Sequence, residues 1–131
     1  MKIEFFISLP GGPRPQKRHR DSRNGGKYDP SVADKRELQY LMARHKPTDP
    51  WVEPVSVSMR FYFPIPKSYR DKTVEIHAKK PDIDNLFKLV SDSMNGTFYK
   101  DDGQIHKCEL VKYYTRQEPG LWVRIEKVKF L

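Results

Sequence analysis

The chain has 131 residues, with 25 Lys and Arg against 17 Asp and Glu for a formal net charge of +8; that length holds one domain with one core, and it suits a substrate lying on the surface, or a site completed by a second subunit, better than a substrate enclosed within one subunit. The charge favours a polyanionic partner through long-range attraction. The one cysteine, Cys108, excludes an intramolecular disulfide and a cysteine zinc site and points to a reducing cytoplasm, while the apolar start Ile3 to Leu9, broken by Glu4, is too short for a membrane span and is followed by no small-residue cleavage site.

Residues 2–9, rich in Ile and Phe and closed by Pro10-Gly11-Gly12-Pro13, predict a first strand. From Arg14 to Lys27 the chain sets Arg14, Lys17, Arg18, Arg20, Arg23 and Lys27 against Asp21 alone, among glycines and prolines that deny regular structure. Residues 14–28 therefore read as a mobile cationic loop, or more plainly as a solvated tail. Asp29-Pro30 supplies a cap and a first-turn proline for a helix over 31–45, with Val32, Leu38, Leu41 and Met42 as its apolar stripe and Pro47 and Pro50 beyond its end.

Val55, Val57, Met59, Phe61 and Phe63 alternate with Ser56, Ser58, Arg60 and Tyr62, the period of a strand with one buried face; Pro64 and Pro66 stop it. A polar connection carrying Lys67, Arg70, Lys72, Lys79 and Lys80 leads to a second helix over 84–95, which buries Leu86, Phe87, Leu89, Val90 and Met94 in part and ends at Asn95-Gly96. The Asp101-Asp102-Gly103 turn opens a strand over 104–115, and Glu118-Pro119-Gly120 leads into a last strand over 121–130. This β-α-β-α-β-β order argues for a single α+β domain over 1–131, with two main helices packed on one face of a mixed β-sheet.

Acidic residues crowd together at Asp82, Asp84 and Asp92 and again at Asp101 and Asp102, inside an otherwise basic protein. Like charges held close destabilise one another unless a cation compensates them, so a divalent metal is the leading candidate. Asp82 and Asp84 share a side only where the backbone is extended, and Pro81 favours extension just before them, whereas Asp84, Lys88 and Asp92 share a helix face. Each has a bland reading: Asp caps helix starts, an Asp to Lys pair braces a helix, and Asp-Gly suits a β-turn. Together they outweigh it. Magnesium prefers a few carboxylates plus waters and substrate phosphate, and Asp82, Asp84 and Asp102 supply such an incomplete shell, for one ion or two.

Lys88 reads either as a point positive charge near a phosphate or as a solvent-facing helix lysine. Asn85 suits a bond to backbone or to a water of the ion, and Asp92 either reinforces the site from behind or pairs with a lysine. His19, His45, His77 and His106 have no ligand spacing, and neither a nucleophilic triad nor a phosphate-binding glycine loop is present. Trp51 and Trp122 read as core or interface residues, Tyr28 and Tyr69 as stacking candidates for exposed bases, and Tyr99 as a rim residue of the acidic site.

The run Lys80-Pro81-Asp82-Ile83-Asp84-Asn85-Leu86-Phe87-Lys88, then Asp92, then Asp101-Asp102-Gly103-Gln104-Ile105, resembles the K-P-D-x-D-N-L-x-K and D-D-x-Q-I/V pattern of the RusA family of Holliday junction resolvases. A looser match from Gly12 to Arg20, with Gly26, Tyr28 and Pro30, looks like the basic loop of that family's Gram-positive and phage branch. The resemblance runs across nearly the full chain. It implies a RusA-like fold and a homodimeric, magnesium-dependent endodeoxyribonuclease, with manganese able to substitute. Such an enzyme resolves four-way DNA junctions in recombination and repair by paired symmetric nicks that leave 5′-phosphate and 3′-hydroxyl ends. It makes Asp82, Asp84 and Asp102 the metal carboxylates, Asp101 their neighbour and Lys88 the functional lysine. Arg14, Lys17, Arg18, Arg20, Arg23 and Lys27, with Lys67, Arg70, Lys79 and Lys80, are expected to grip the junction arms through phosphates. The alternatives are a non-catalytic basic module that coats branched or single-stranded DNA, and a metal nuclease of flap or RNA specificity.

Overall fold

The computed structural model describes residues 1–17, 20–21, 27–69, 73 and 75–128, with the backbone alone at 20, 21, 27 and 28. Its elements are β1 (Lys2–Ser8), β2 (Arg20–Asp21), β3 (Lys27–Tyr28), α1 (Val32–Met42), β4 (Val55–Pro64), α2 (Ile83–Met94), β5 (Ile105–Thr115) and β6 (Gly120–Lys127). Four strands form one mixed sheet in the order β1-β6-β4-β5, and β2 pairs only with β3. The β1–β6 and β4–β6 pairs are antiparallel, while β4 and β5 are parallel. A parallel pair needs a crossover connection, and α2 is that crossover. The α+β reading with two helices on a mixed sheet holds.

The alternation in β4 works as its period required. Val55, Val57, Met59 and Phe61 are at most 1% exposed, and they meet Leu121, Val123 and Ile125 of β6, all at 0%. Leu86, Leu89 and Met94 of α2 close over them. Each such side chain contributes roughly 1.5–3 kcal/mol by leaving water. Leu38 and Met42 seat α1 on the same core, but Val32 is 41% exposed and drops out of the expected stripe. The first helix ends at Met42 and tightens into a 3-10 turn, Ala43–His45.

Several expectations are corrected here. The segment expected to lack regular structure contains the β2–β3 ribbon, with Arg20 opposite Tyr28 and Asp21 opposite Lys27. Ahead of the ribbon it is anchored: the Gln16 N–H donates to the Asn85 carbonyl at 2.9 Å and the Lys17 N–H to Ser31 Oγ at 2.8 Å. The second helix starts at Ile83, not Asp84. Asp101-Asp102-Gly103 is not a β-turn but the capped start of a 3-10 turn, Asp102–Gln104. Arg18, Arg23, Arg70, Lys72 and the end of the expected last strand lie outside the described residues. Among the described residues no helix is long and apolar enough to cross a membrane.

Candidate active site

A groove of about 610 Å³ opens between the segment leading into α2 and the edge strand β5, lined among others by Lys79, Lys80, Asp82, Asp84, Leu110 and Lys112. Its wall is held by Lys112, whose Nζ donates to the Lys79 carbonyl at 2.5 Å and to the Pro81 carbonyl at 2.8 Å. His77 fixes the same wall from behind. Its N–H donates to the Lys112 carbonyl at 3.1 Å, its Nδ1 accepts from the Lys79 N–H at 3.3 Å, and its ring lies 4.5 Å from both Phe63 and Tyr114. Burial, and then the charge of Lys112, hold the His77 pKa below the usual histidine value. The imidazole is therefore neutral at physiological pH and serves as an acceptor.

Asp82 occupies the N-cap position of α2 with extended backbone, yet its side chain caps no N–H. Its carboxylate instead pairs with Lys80 Nζ at 2.9 Å, and Lys80 is 84% exposed. Asp84 stands in the first turn of α2, near the positive end of the helix dipole, with no side-chain partner among the described residues. The bland capping reading thus fails for Asp82. Asn85 contributes its backbone carbonyl to Gln16, and its side chain is exposed.

A second neighbourhood forms around Tyr99. This residue is fully buried, and its hydroxyl donates to the Ser91 carbonyl at 2.8 Å. Burial pushes the hydroxyl pKa up, and the negative charges of Asp102, Asp92 and Asp101 push it further. Tyr99 is therefore a core pillar beneath three carboxylates, not the rim residue expected. Asp101 and Gln104 form a reciprocal cap: the Asp101 carboxylate accepts the Gly103 N–H at 2.9 Å, and Gln104 Oε1 accepts the Lys100 and Asp101 N–H groups, both at 2.9 Å. Gln104 Nε2 then donates to the Trp51 carbonyl at 2.8 Å and the Glu53 carbonyl at 2.9 Å, buckling the turn to a distant segment. Asp101 is thus occupied with backbone, which leaves the exposed Asp102 without a side-chain partner among the described residues.

One face of α2 joins the two neighbourhoods, because Asp84, Lys88 and Asp92 follow one another at helical spacing. Lys88 Nζ lies 3.7 Å from Asp92, and Asp92 also faces Lys35 Nζ at 3.6 Å, which holds Asp29 at 2.6 Å. Asp92 thus pairs with two lysines, and Lys88 pairs with it and not with Asp84. Among the described residues no three carboxylate, imidazole or thiolate side chains converge closely enough to ligate one ion. Asp82, Asp84 and Asp102 are therefore not a preformed cage. Exposed carboxylates, two without a side-chain partner among the described residues and Asp82 paired with the exposed Lys80, fit a hard ion that keeps most of its waters, as magnesium does, rather than one that demands a closed shell.

The expected DNA contacts divide. Lys67, Lys79 and Lys80 are exposed, and Lys79 Nζ lies 5.5 Å from the Tyr69 ring centre. Arg14 and Lys17 face the buried Asp34, at 2.9 and 3.9 Å, but each side chain stays more than half exposed. Arg20, Lys27 and Tyr28 are placed by backbone alone, within the ribbon. Trp51 is core, at 5% exposure, while Trp122 lies beneath the Arg60 guanidinium at 4.2 Å. The sequence reading missed two organising residues, Lys112 and Gln104. A signal for Lys112 was available: in β5 it falls in the same phase as Leu110 and Tyr114, opposite the buried Phe61.

The sequence model of the family described as Endodeoxyribonuclease RusA matches residues 10–126. The chain is also 33% identical over 140 residues to "Uncharacterized protein YqaN" of Bacillus subtilis (strain 168), an alignment that covers 96% of each chain.

Proposed function

The chain belongs to the RusA family of endodeoxyribonucleases, Holliday junction resolvases that act on branched DNA with a divalent metal, and on that premise we propose that it resolves four-way junctions by paired symmetric nicks with magnesium as its ion. Membership in an endonuclease family removes the non-catalytic coat protein as an alternative. The observation that carries the reading is the state of the carboxylates. Asp84 and Asp102 have no internal partner among the described residues, Asp82 has only the exposed Lys80, and Asp101 does the capping that would otherwise occupy an acid.

In this reading Asp82, Asp84 and Asp102 hold the ion, with manganese able to substitute, and Asp101, Asn85 and Asp92 support them. A bound divalent ion supplies activation of the attacking water and neutralisation of charge on the phosphate oxygens. The water oxygen bonds to phosphorus as the phosphorus to 3′-oxygen bond breaks, leaving a 3′-hydroxyl and a 5′-phosphate. Lys88 is loosely paired at 3.7 Å and 58% exposed, so its ammonium is free to follow the charge that grows on the phosphate. Lys67, Lys79 and Lys80, with Arg14, Lys17, Arg18, Arg20, Arg23, Lys27 and Arg70, grip the junction arms. A junction has two opposed strands to cut, which a homodimer matches with two symmetric sites.

The test is a labelled panel of four-way junction, flap and linear duplex, with and without magnesium. Junction cleavage that requires the ion, and that Asp82→Asn, Asp84→Asn or Asp102→Asn each abolishes while junction binding persists, is the expected result. Cutting at the wild-type rate by all three variants refutes the metal assignment, and preference for the flap replaces the resolvase reading with a nuclease of other specificity.

A further inference from the structure

We infer that two copies of this chain join edge to edge through β5, antiparallel about a two-fold axis at Cys108, with Lys107 of each copy opposite Glu109 of the other. The inference rests on the dimeric resolvase reading above and names the surface that makes the dimer. β5 is an 11-residue strand at the edge of the sheet, paired on one side with β4. Its far half is covered on the other side: Ile76 bridges to Tyr113, the His77 N–H donates to the Lys112 carbonyl, and the Tyr114 N–H donates to the Glu75 carbonyl at 2.7 Å. No described residue pairs with the outer side of its near half, where His106, Lys107, Cys108 and Glu109 are all exposed. An open strand edge is a pairing template that monomers blunt with lysines or prolines. Here the one lysine of the exposed run is followed two residues later by a glutamate, which makes the edge self-complementary instead.

The register follows from the backbone. Lys112 and Tyr114 point their backbone groups outward, so by strand alternation Leu110 and Cys108 do too. An antiparallel partner can then exchange both hydrogen bonds between Cys108 and its twin, which leaves Lys107 and Glu109 facing each other as a pair without hydrogen bonds, where side chains come closest. Centring the axis on Lys107 sets lysine against lysine, and centring it on Glu109 sets glutamate against glutamate. Only the register at Cys108 makes both contacts attractive. Within one copy Lys107 and Glu109 are 3.9 Å apart and about two-thirds exposed, so little holds them from this exchange. The groove that carries Asp82 and Asp84 is lined by Leu110, Val111 and Lys112 of the same strand. Pairing here therefore sets two grooves beside the axis.

Two single variants test the register. Lys107→Glu gives each copy two acids and Glu109→Lys gives each two bases, so each variant alone meets like charge at both contacts; its dimer dissociation constant should rise about tenfold. Mixed together, differently tagged, the two variants should form heterodimers well beyond the statistical proportion, and a short bismaleimide should join two wild-type copies through Cys108. Both residues are exposed, so unchanged circular dichroism shows that each variant folds. A wild-type dimer by light scattering with statistical mixing of the variants overturns the β5 interface and leaves the dimeric reading intact. A wild-type monomer overturns both.

Discussion

Replacing Gln104 with alanine probes how the second acidic turn is held. The amide makes four hydrogen bonds, two donated to the carbonyls of Trp51 and Glu53 and two accepted from the Lys100 and Asp101 N–H groups. The two donated bonds are part-buried, and losing each costs about 1 kcal/mol net; the accepted pair is exposed, water replaces the oxygen there, and about 0.5 kcal/mol is lost in all. The total, about 2–3 kcal/mol, corresponds to a fall of about 10 °C in melting temperature for a domain of this size. Because the same bonds anchor the turn that presents Asp102, the cutting rate should also fall by at least about tenfold, the equivalent of about 1.4 kcal/mol of misplacement, with more magnesium needed for half-maximal rate. Thermal melts and cleavage of a labelled four-way junction across a magnesium titration read both effects. Gln104→Glu keeps the acceptor but turns a carboxylate toward two carbonyl oxygens, so it should be at least as damaging. A Gln104→Ala protein with wild-type melting point and unchanged magnesium titration would refute the claim that this side chain positions the acidic turn.

Lys112→Met removes the ammonium that ties the Lys79 and Pro81 carbonyls to β5. In an open groove water replaces those bonds, so stability should drop by less than about 1 kcal/mol while the cutting rate falls about tenfold; a large loss of stability with normal turnover per folded molecule would contradict a positioning role. Lys88→Ala should lower kcat about a hundredfold with little change in junction affinity, since the charge is needed as the phosphate reacts; an equal loss in both parameters points to simple grip. His77 gives a pH signature: its folded pKa is lowered, so below the ordinary value of 6.5 the unfolded chain takes up a proton that the folded chain refuses. The stability it contributes is complete above that pH and is lost as pH falls toward the folded pKa, and His77→Phe should flatten this part of the melting temperature against pH profile. Wild-type curvature retained in that variant assigns the dependence to other groups.

Periodicity and punctuation carried most of the local structure. The alternation from Val55 to Phe63 specifies a strand with one buried face whatever packs on it, because side-chain direction in a strand reverses at each residue. The helix of Leu86, Leu89, Val90 and Met94 was legible for the same kind of reason, as was the presence of two acidic clusters in a basic chain. Strand order was not legible: β6 lies between β1 and β4, and β5 pairs parallel to β4, through contacts between residues far apart in sequence that no local pattern encodes. Nor could spacing tell which of two adjacent acids is free. Asp101 is taken up by the Gly103 N–H and Asp102 is not, a choice made by backbone dihedrals and by Gln104 reaching across to Trp51 and Glu53. The burial of Tyr99 under its carboxylates, and the use of Lys112 to bolt the groove wall, are likewise properties of the packed chain, since each depends on what the fold sets against that side chain rather than on its neighbours in sequence.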